Sequence, residues 1–428
     1  MVAYFIAFAV MIGIFVVGCF VAKLPVGVSM MLAALGGALV GGAGTDTIRL
    51  MVEGEFGYVD TILTIATAMV FMKVIEDSGA LDALSSLIVE KFHRFPAILL
   101  ILIMLIIMFP GMITGSSTAA VLSAGSIMAP VLALMGIDAV TSAAIIAMGG
   151  LLGMIAPPVN TVALVICAGI DVPYVGFTGP LLLLTIPLAI IFVLFLGYRK
   201  AKNLDYETLK PALEKQNEVR KQYGIRIYIP FAVLVILMVA FKVLQIADDI
   251  GMPLIFLISA FVGIFTGKKF NVFKLVTDAI RTAAPVMGIL MGVGMFIEIM
   301  TYTGARGLVV ITCLRLPQML WLLAACISIP LFGAVSSYGA ASVLGVPFAL
   351  MFATLLGGDD VVVLAGLSLI VSVGDMMPPT ALAGLFAAQI TNVKPYTKVL
   401  KKCIIPIIVL LAYAAFFVAN SNLIANLF

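Results

Sequence analysis

The sequence predicts an all-α polytopic membrane protein built as an inverted-topology repeat, with about ten spanning helices and two re-entrant hairpins. Three observations predict it. The chain is 63% hydrophobic and 11% charged, against about 45–50% and 25% in soluble domains, and its mean hydropathy is +1.26. Two Pro-Pro pairs, Pro157-Pro158 and Pro378-Pro379, lie 221 positions apart, and each follows a small polar cluster, around Ser116 and Ser337, by 41 positions. The basic residues sort to one side of the membrane once the spans are counted.

A spanning helix needs roughly 20 apolar residues. In the first repeat, 1–198, such runs occupy 4–22, 25–43, 61–76 and 177–198. Segment 97–135 is apolar except at 114–118, and this polar centre divides it into two arms, each short of a comfortable crossing. That pattern predicts a hairpin whose tip stops inside the membrane. Segment 141–169 predicts a helix broken near 154–160, because proline lacks an N–H and clashes with the carbonyl four residues back. The second repeat, 228–428, keeps the order. Spans fall at 228–245, 252–267, 284–302 and 403–420, a hairpin at 318–356 with its tip near 333–339, and a broken helix at 361–390. Glu76 corresponds to Glu298 and Gly153 to Gly374, while Met154 aligns with Asp375. Segments 81–95 and 270–283 read as amphipathic helices along the inner surface.

Five crossings per half bring the second half in from the opposite side, which makes the repeat inverted. The linker 199–227 carries eight Lys and Arg residues, which argues that it is cytoplasmic. Propagating that choice places all but four of the 24 basic residues, Arg49, Lys242, Arg306 and Arg315, on the inner side. Both termini then lie outside.

The same residues exclude several function classes. A net charge of +3 without a basic stripe gives no footprint for nucleic acid. Five scattered cysteines show neither disulfide nor metal spacing, and the one histidine, His93, lies among inner-loop charges. No Gly-x-x-x-x-Gly-Lys-Ser/Thr occurs, so the chain does not hydrolyse ATP. With no nucleophile–base pair visible, it is not read as an enzyme.

Chemistry concentrates at the breaks. Irregular backbone inside a bilayer is tolerated only beside protein or a wet cavity, and matched breaks in two halves point to a transporter site. The first tip offers Gly115, Ser116, Ser117 and Thr118, and the first broken helix offers Asn160 and Thr161 at the start of its second half. Ser336, Ser337 and Thr380 are their counterparts. Hydroxyls and half-helix N-termini suit an anion, and freed carbonyls suit Na⁺. Small residues also allow close helix packing, but four clusters at matched positions favour a site. Asp375, an intramembrane acid, binds a cation, carries a proton or caps freed amides. Glu76 and Glu298 read as span-end residues.

The hairpin ending Gly125-Ser126-Ile127-Met128-Ala129-Pro130, then Gly136-Ile137-Asp138, Pro157-Pro158, Ala168-Gly169-Ile170-Asp171, Val343 to Pro347 and Pro378-Pro379, resembles the large membrane subunit of TRAP (tripartite ATP-independent periplasmic) transporters. The resemblance covers nearly the whole chain. It implies an elevator-type importer with scaffold and transport domains in the bacterial inner membrane, coupled to Na⁺ and taking small organic acids. It also implies a small four-span membrane subunit and a periplasmic substrate-binding protein as partners. The family's cation sites map by position to Ser116, Ser117, Gly153 and Pro157, with Gly115 alongside, and to Ser336, Ser337, Gly374 and Pro378, with Asp375 alongside. Asp375 and the stretch Thr118-Ala119-Ala120-Val121-Leu122-Ser123 depart from the family pattern. They leave H⁺ open as the coupling ion, and a stand-alone cation/organic-anion symporter or exchanger as the alternative. A channel is the reading from a different class, though pores usually need rings of groups from several subunits.

Overall fold

Apolar runs of membrane length fold as helices because lipid offers backbone amides and carbonyls no partner. The computed structural model describes residues 2–201, 214–243, 250–315, 317 and 320–428, and at a few of these, Ser336 and Ser337 among them, only the backbone. Every regular element among the described residues is helical. The first repeat contains α1 (Val2–Val16), α2 (Val26–Val40), α3 (Thr47–Phe56), α4 (Val59–Asp77), α5 (Ala80–Phe92), α6 (Pro96–Thr114), α7 (Ser117–Ala120), α8 (Ser126–Leu134), α9 (Ala139–Ile155), α10 (Thr161–Gly169) and α11 (Thr178–Gly197). After the linker come α12 (Glu214–Tyr223), α13 (Ile229–Met238), α14 (Met252–Gly263), α15 (Val272–Tyr302), α16 (Ala305–Leu314) and α17 (Trp321–Ala349). They are followed by α18 (Asp360–Ser372), α19 (Leu382–Ile390), α20 (Thr397–Ala419) and α21 (Ser421–Ala425). Among the described residues seven stretches are long and apolar enough to cross a membrane, or eight if α3 and α4, bent by 47°, form one span; α2, α9 and α14 are shorter apolar helices. The protein is a multi-pass membrane protein.

The helices pack as two groups. In one, α15 lies against α2, α3 and α4, while α14 joins α4 and α1 joins α2. In the other, α9 is central and touches α6, α7, α11, α19 and α20, while α17 packs on α10 and α18. The first group has its own apolar core around Phe15, Met30, Ile65 and Phe296, and Val165 of α10 and Val346 of α17 reach into it. Glycines permit the tight crossings of α15: a Cβ at Gly27 would stand 2.1 Å from the Gly288 carbonyl oxygen, and one at Gly54 would stand 2.5 Å from that of Gly294.

Segment 270–283 is not a separate surface helix. It forms the first turns of the 31-residue α15, capped by the Asn271 side chain, which accepts from the Lys274 N–H at 3.1 Å. Its charges gave it an amphipathic look, but the helix runs on without a break, through Pro285 as well. Residues 202–213 of the linker lie outside the described residues, as do 244–245 of the predicted span 228–245. The part described, α12, packs on α5, where Arg220 pairs with Glu90.

At the first tip α6 ends in left-handed Gly115 (φ 61°), Ser116 is extended, and its side chain accepts from the Ala119 N–H at 3.3 Å to start α7. Each arm, Pro96–Thr114 and Ser117–Leu134, reaches the length of a span, about 28 Å and 27 Å at 1.5 Å per residue. The arms are therefore longer than their sequence suggests. What marks the tip is the two-residue turn and its place beside the break between α9 and α10. The second tip is less obvious, because α17 is helical from Trp321 to Ala349. It does not run straight. A Cβ on Gly333 would lie 3.3 Å from that of Ala341, eight residues on, where a straight helix would put about 12 Å between them.

Candidate functional site

Each tip is held against a break in its own half. In the first half the Val159 N–H donates to the Met112 carbonyl at 3.1 Å, and the Thr161 hydroxyl donates to Gly115 at 2.6 Å. Gly111 and Gly153 let the backbones touch: a Cβ on Gly153 would meet the Met108 oxygen at 2.5 Å. The second half repeats this with Gly333, whose Cβ would stand 2.5 Å from the Gly374 Cα. The Thr380 hydroxyl reaches the Gly333 and Ala334 carbonyls at 3.4 and 3.5 Å. The match extends beyond the tips. Asp138 caps α9 and Asp359 caps α18, each accepting from the N–H three residues on, and both Pro-Pro bonds are cis.

One carboxylate joins the halves. Asp375 is fully buried. It accepts from the Ser117 hydroxyl of the first tip, 258 positions away, and from the Tyr338 N–H of the second tip at 3.1 Å. Its counterpart Met154 has no such group. Asp375 therefore caps a backbone amide, one of the roles open from sequence, and also holds a hydroxyl of the other tip. Among the described residues no group of three or more His, Cys, Asp or Glu side chains gathers as a metal site. Oxygen ligands near Asp375 would have to include hydroxyls and carbonyls.

In front of Ser116 and Tyr338 opens a cavity of about 740 Å³ between the two helix groups. Ser116, Thr118 and Thr380 line it. Asn160 and Thr161 do not. Both are fully buried, and Asn160 donates to the Ser368 hydroxyl at 2.8 Å while its carbonyl oxygen accepts from the Ala163 N–H at 2.9 Å. Side chains next to a break serve equally well as caps, and here capping takes them. Ser117 sits behind the wall on Asp375, and Gly115, Gly153, Pro157, Gly374 and Pro378 shape the backbone around it rather than facing the cavity. The side chains of Ser336 and Ser337 lie outside the described residues.

The cavity wall also holds residues that sequence reasoning passed over. Tyr338 is one. Its hydroxyl is buried with no hydrogen-bond partner among the described residues. Lys73 is another, and beside it stands Glu76, a span-end residue by sequence: α4 runs to Asp77, so Glu76 lies within its last turn, and Lys73 Nζ stands 3.2 Å from Glu76 and 3.6 Å from Asp77. Their spacing of three on one helix face was the available signal. Asp138, at the foot of α9, sits outside this region. Burial alone would raise its carboxyl, but hydrogen bonds from Lys200 and Thr141 outweigh burial and hold it below the usual range.

Comparison with known proteins agrees with this architecture. The solved structure titled "Crystal structure of the Alcanivorax borkumensis YdaH transporter reveals an unusual topology" is similar over 92% of this chain and 97% of that one, with a TM-score of 0.62 and 15% identity. At that identity the likeness is one of fold. No curated protein sequence matches the chain. The family model described as tripartite ATP-independent periplasmic transporter, DctM component, matches residues 11–421. The chain belongs to that family, the large membrane component of TRAP secondary transporters.

Proposed function

We propose that this chain imports a small organic anion across the bacterial inner membrane, driven by a gradient of Na⁺ or H⁺, with both termini outside. In this reading it works with a small four-span membrane subunit and a periplasmic binding protein, and the tip-bearing helix group moves against the other in an elevator cycle. The observation that carries the coupling is the place of Asp375, fully buried and bonded to both tips directly behind the cavity wall. A bare carboxylate there repels an anion in the cavity, and a bound cation or proton removes the repulsion. Anion and cation then bind as a pair, which is the requirement for symport. Ser117 and Asp375 supply oxygens for the cation, and Ser116, Thr118 and Thr380 face the anion.

The test is accumulation of candidate carboxylates in proteoliposomes holding all three components. The expected result is uptake that stops when the Na⁺ and H⁺ gradients are collapsed, and that Ser117→Leu abolishes without loss of the protein from the membrane. Equilibration without accumulation would refute gradient-driven import. Accumulation by the single chain, without partners, would move the reading to a stand-alone symporter.

A further inference from the structure

The donors left over in the cavity wall restrict what the anion can be. Most wall hydroxyls already spend their proton on backbone. Ser123 donates to Ala119 at 2.6 Å, Ser126 to Ser123 at 2.7 Å and Thr282 to Asp278 at 2.8 Å. Three hydroxyls are different. Among the described residues Ser116 only accepts, from the Ala119 N–H, and Thr118 has no hydrogen-bond partner. Tyr338 is 7% exposed and its buried hydroxyl has none either. All three line the cavity, Ser116 and Thr118 from the first tip and Tyr338 from the second. A buried hydroxyl without a partner costs stability unless a ligand completes it.

Much of the rest of the wall is apolar. Met69, Met72, Val286 and Ile289 present apolar surface. The charges in the wall are Lys73, Glu76 and Asp82, and Lys73 is shared between Glu76 and Asp77. Together they are net negative, so a second carboxylate would face like charge. Extra hydroxyls on a ligand body packed against Met69, Met72, Val286 and Ile289 would meet methyl and thioether groups and stay unpaired.

We propose that the ligand is a monocarboxylate with an apolar body, its carboxylate on Ser116, Thr118 and Tyr338 and its body against Met69, Met72, Val286 and Ile289. This rests on the import reading and narrows it to one substrate class. Tyr338 is then the specificity residue that the first tip, with Ser117 in the matching place, lacks.

The experiment titrates the full chain in lipid nanodiscs with three acids on one ring, correcting each for empty nanodiscs. They are cyclohexanecarboxylate, quinate (the same ring with hydroxyls) and cyclohexane-1,4-dicarboxylate. Cyclohexanecarboxylate is expected to bind at least about 10-fold tighter than either of the others. Tyr338→Phe, which keeps the ring, is expected to weaken it by about 10-fold, the loss of one hydrogen bond to a charged group. Tighter or equal binding of quinate or the diacid overturns the proposal and leaves anion import standing, as does an unchanged affinity in Tyr338→Phe. Binding by none of the three counts against this site as an anion site at all, and so against both readings.

Discussion

Replacing Asp375 by asparagine separates the carboxylate's charge from its shape. The amide oxygen still accepts the Tyr338 N–H, held at 3.1 Å in the parent. Ser117 can turn to accept from the amide nitrogen. Both tips thus stay tied, and Asp375→Asn should fold. Asp375→Ala, by contrast, strands the Tyr338 N–H in the interior at a cost of about 1–3 kcal/mol. The effect on coupling is electrostatic. Two like charges about 8 Å apart at an effective dielectric of about 20 repel by about 2 kcal/mol, which is about 30-fold in affinity. In the parent, a cation or proton should therefore tighten anion binding by about that factor. In Asp375→Asn, anion affinity should be high and the same with or without Na⁺, at acid and at neutral pH. The assay is calorimetric titration of the anion in nanodiscs across those four conditions. A variant that keeps the parent's cation dependence would refute the role given to Asp375, and so would a parent that shows none.

Other outcomes follow from the packing. Gly153→Val and Gly333→Val force a side chain into backbone at 2.5 Å and should each lower the melting temperature in detergent, with overpacking costs of about 1–3 kcal/mol or more. Gly288→Ala meets nothing within 4 Å and serves as the tolerated control. Asn160→Ala removes both the α10 cap and the tie to Ser368, and should cost about 1–3 kcal/mol in the same measurement. Because the Asp138 carboxyl is lowered in the folded protein, its contribution is present above its ordinary value near pH 3.9 and is lost as pH falls through the lowered one. Lys200→Met should thus destabilise by less than about 1 kcal/mol at neutral pH, the pair being largely exposed. That difference should fade in acid melts below about pH 4.

The breaks were legible because they contradict their surroundings. Gly115-Ser116 and Pro157-Pro158 are poor helix formers inside apolar runs, and the 221-residue offset tied each to a partner in the other half. Contacts made across that offset were not legible. Ser117 and Asp375 meet through tertiary packing that no periodicity records; the comparison of halves flagged only that Asp375 stands where Met154 does. In sequence Asn160 and Thr161 look like ligand groups, because an amide or hydroxyl after a helix break has the same sequence whether it caps or binds. Segment 270–283 was read as a separate helix because charge pattern reports the environment of side chains, whereas continuity of α15 depends on a backbone ladder that Lys274, Asp278 and Arg281 do not disturb. Tyr338 escaped notice because an aromatic residue in an apolar chain signals packing first, and only its unmatched hydroxyl sets it apart.

The cavity between the helix groups has a consequence for how the protein responds to its solvent. A space of about 740 Å³ has room for roughly 25 water molecules at about 30 Å³ each. Any state that brings the Ser117–Leu134 arm against α4 and α15 must expel them. In the proposed elevator cycle, the balance between open and closed forms would therefore depend on water activity. A solute too large to enter, such as a long polyethylene glycol, should favour the closed form in proportion to its osmotic pressure, while glycerol, small enough to enter, should do so far less at equal osmolality.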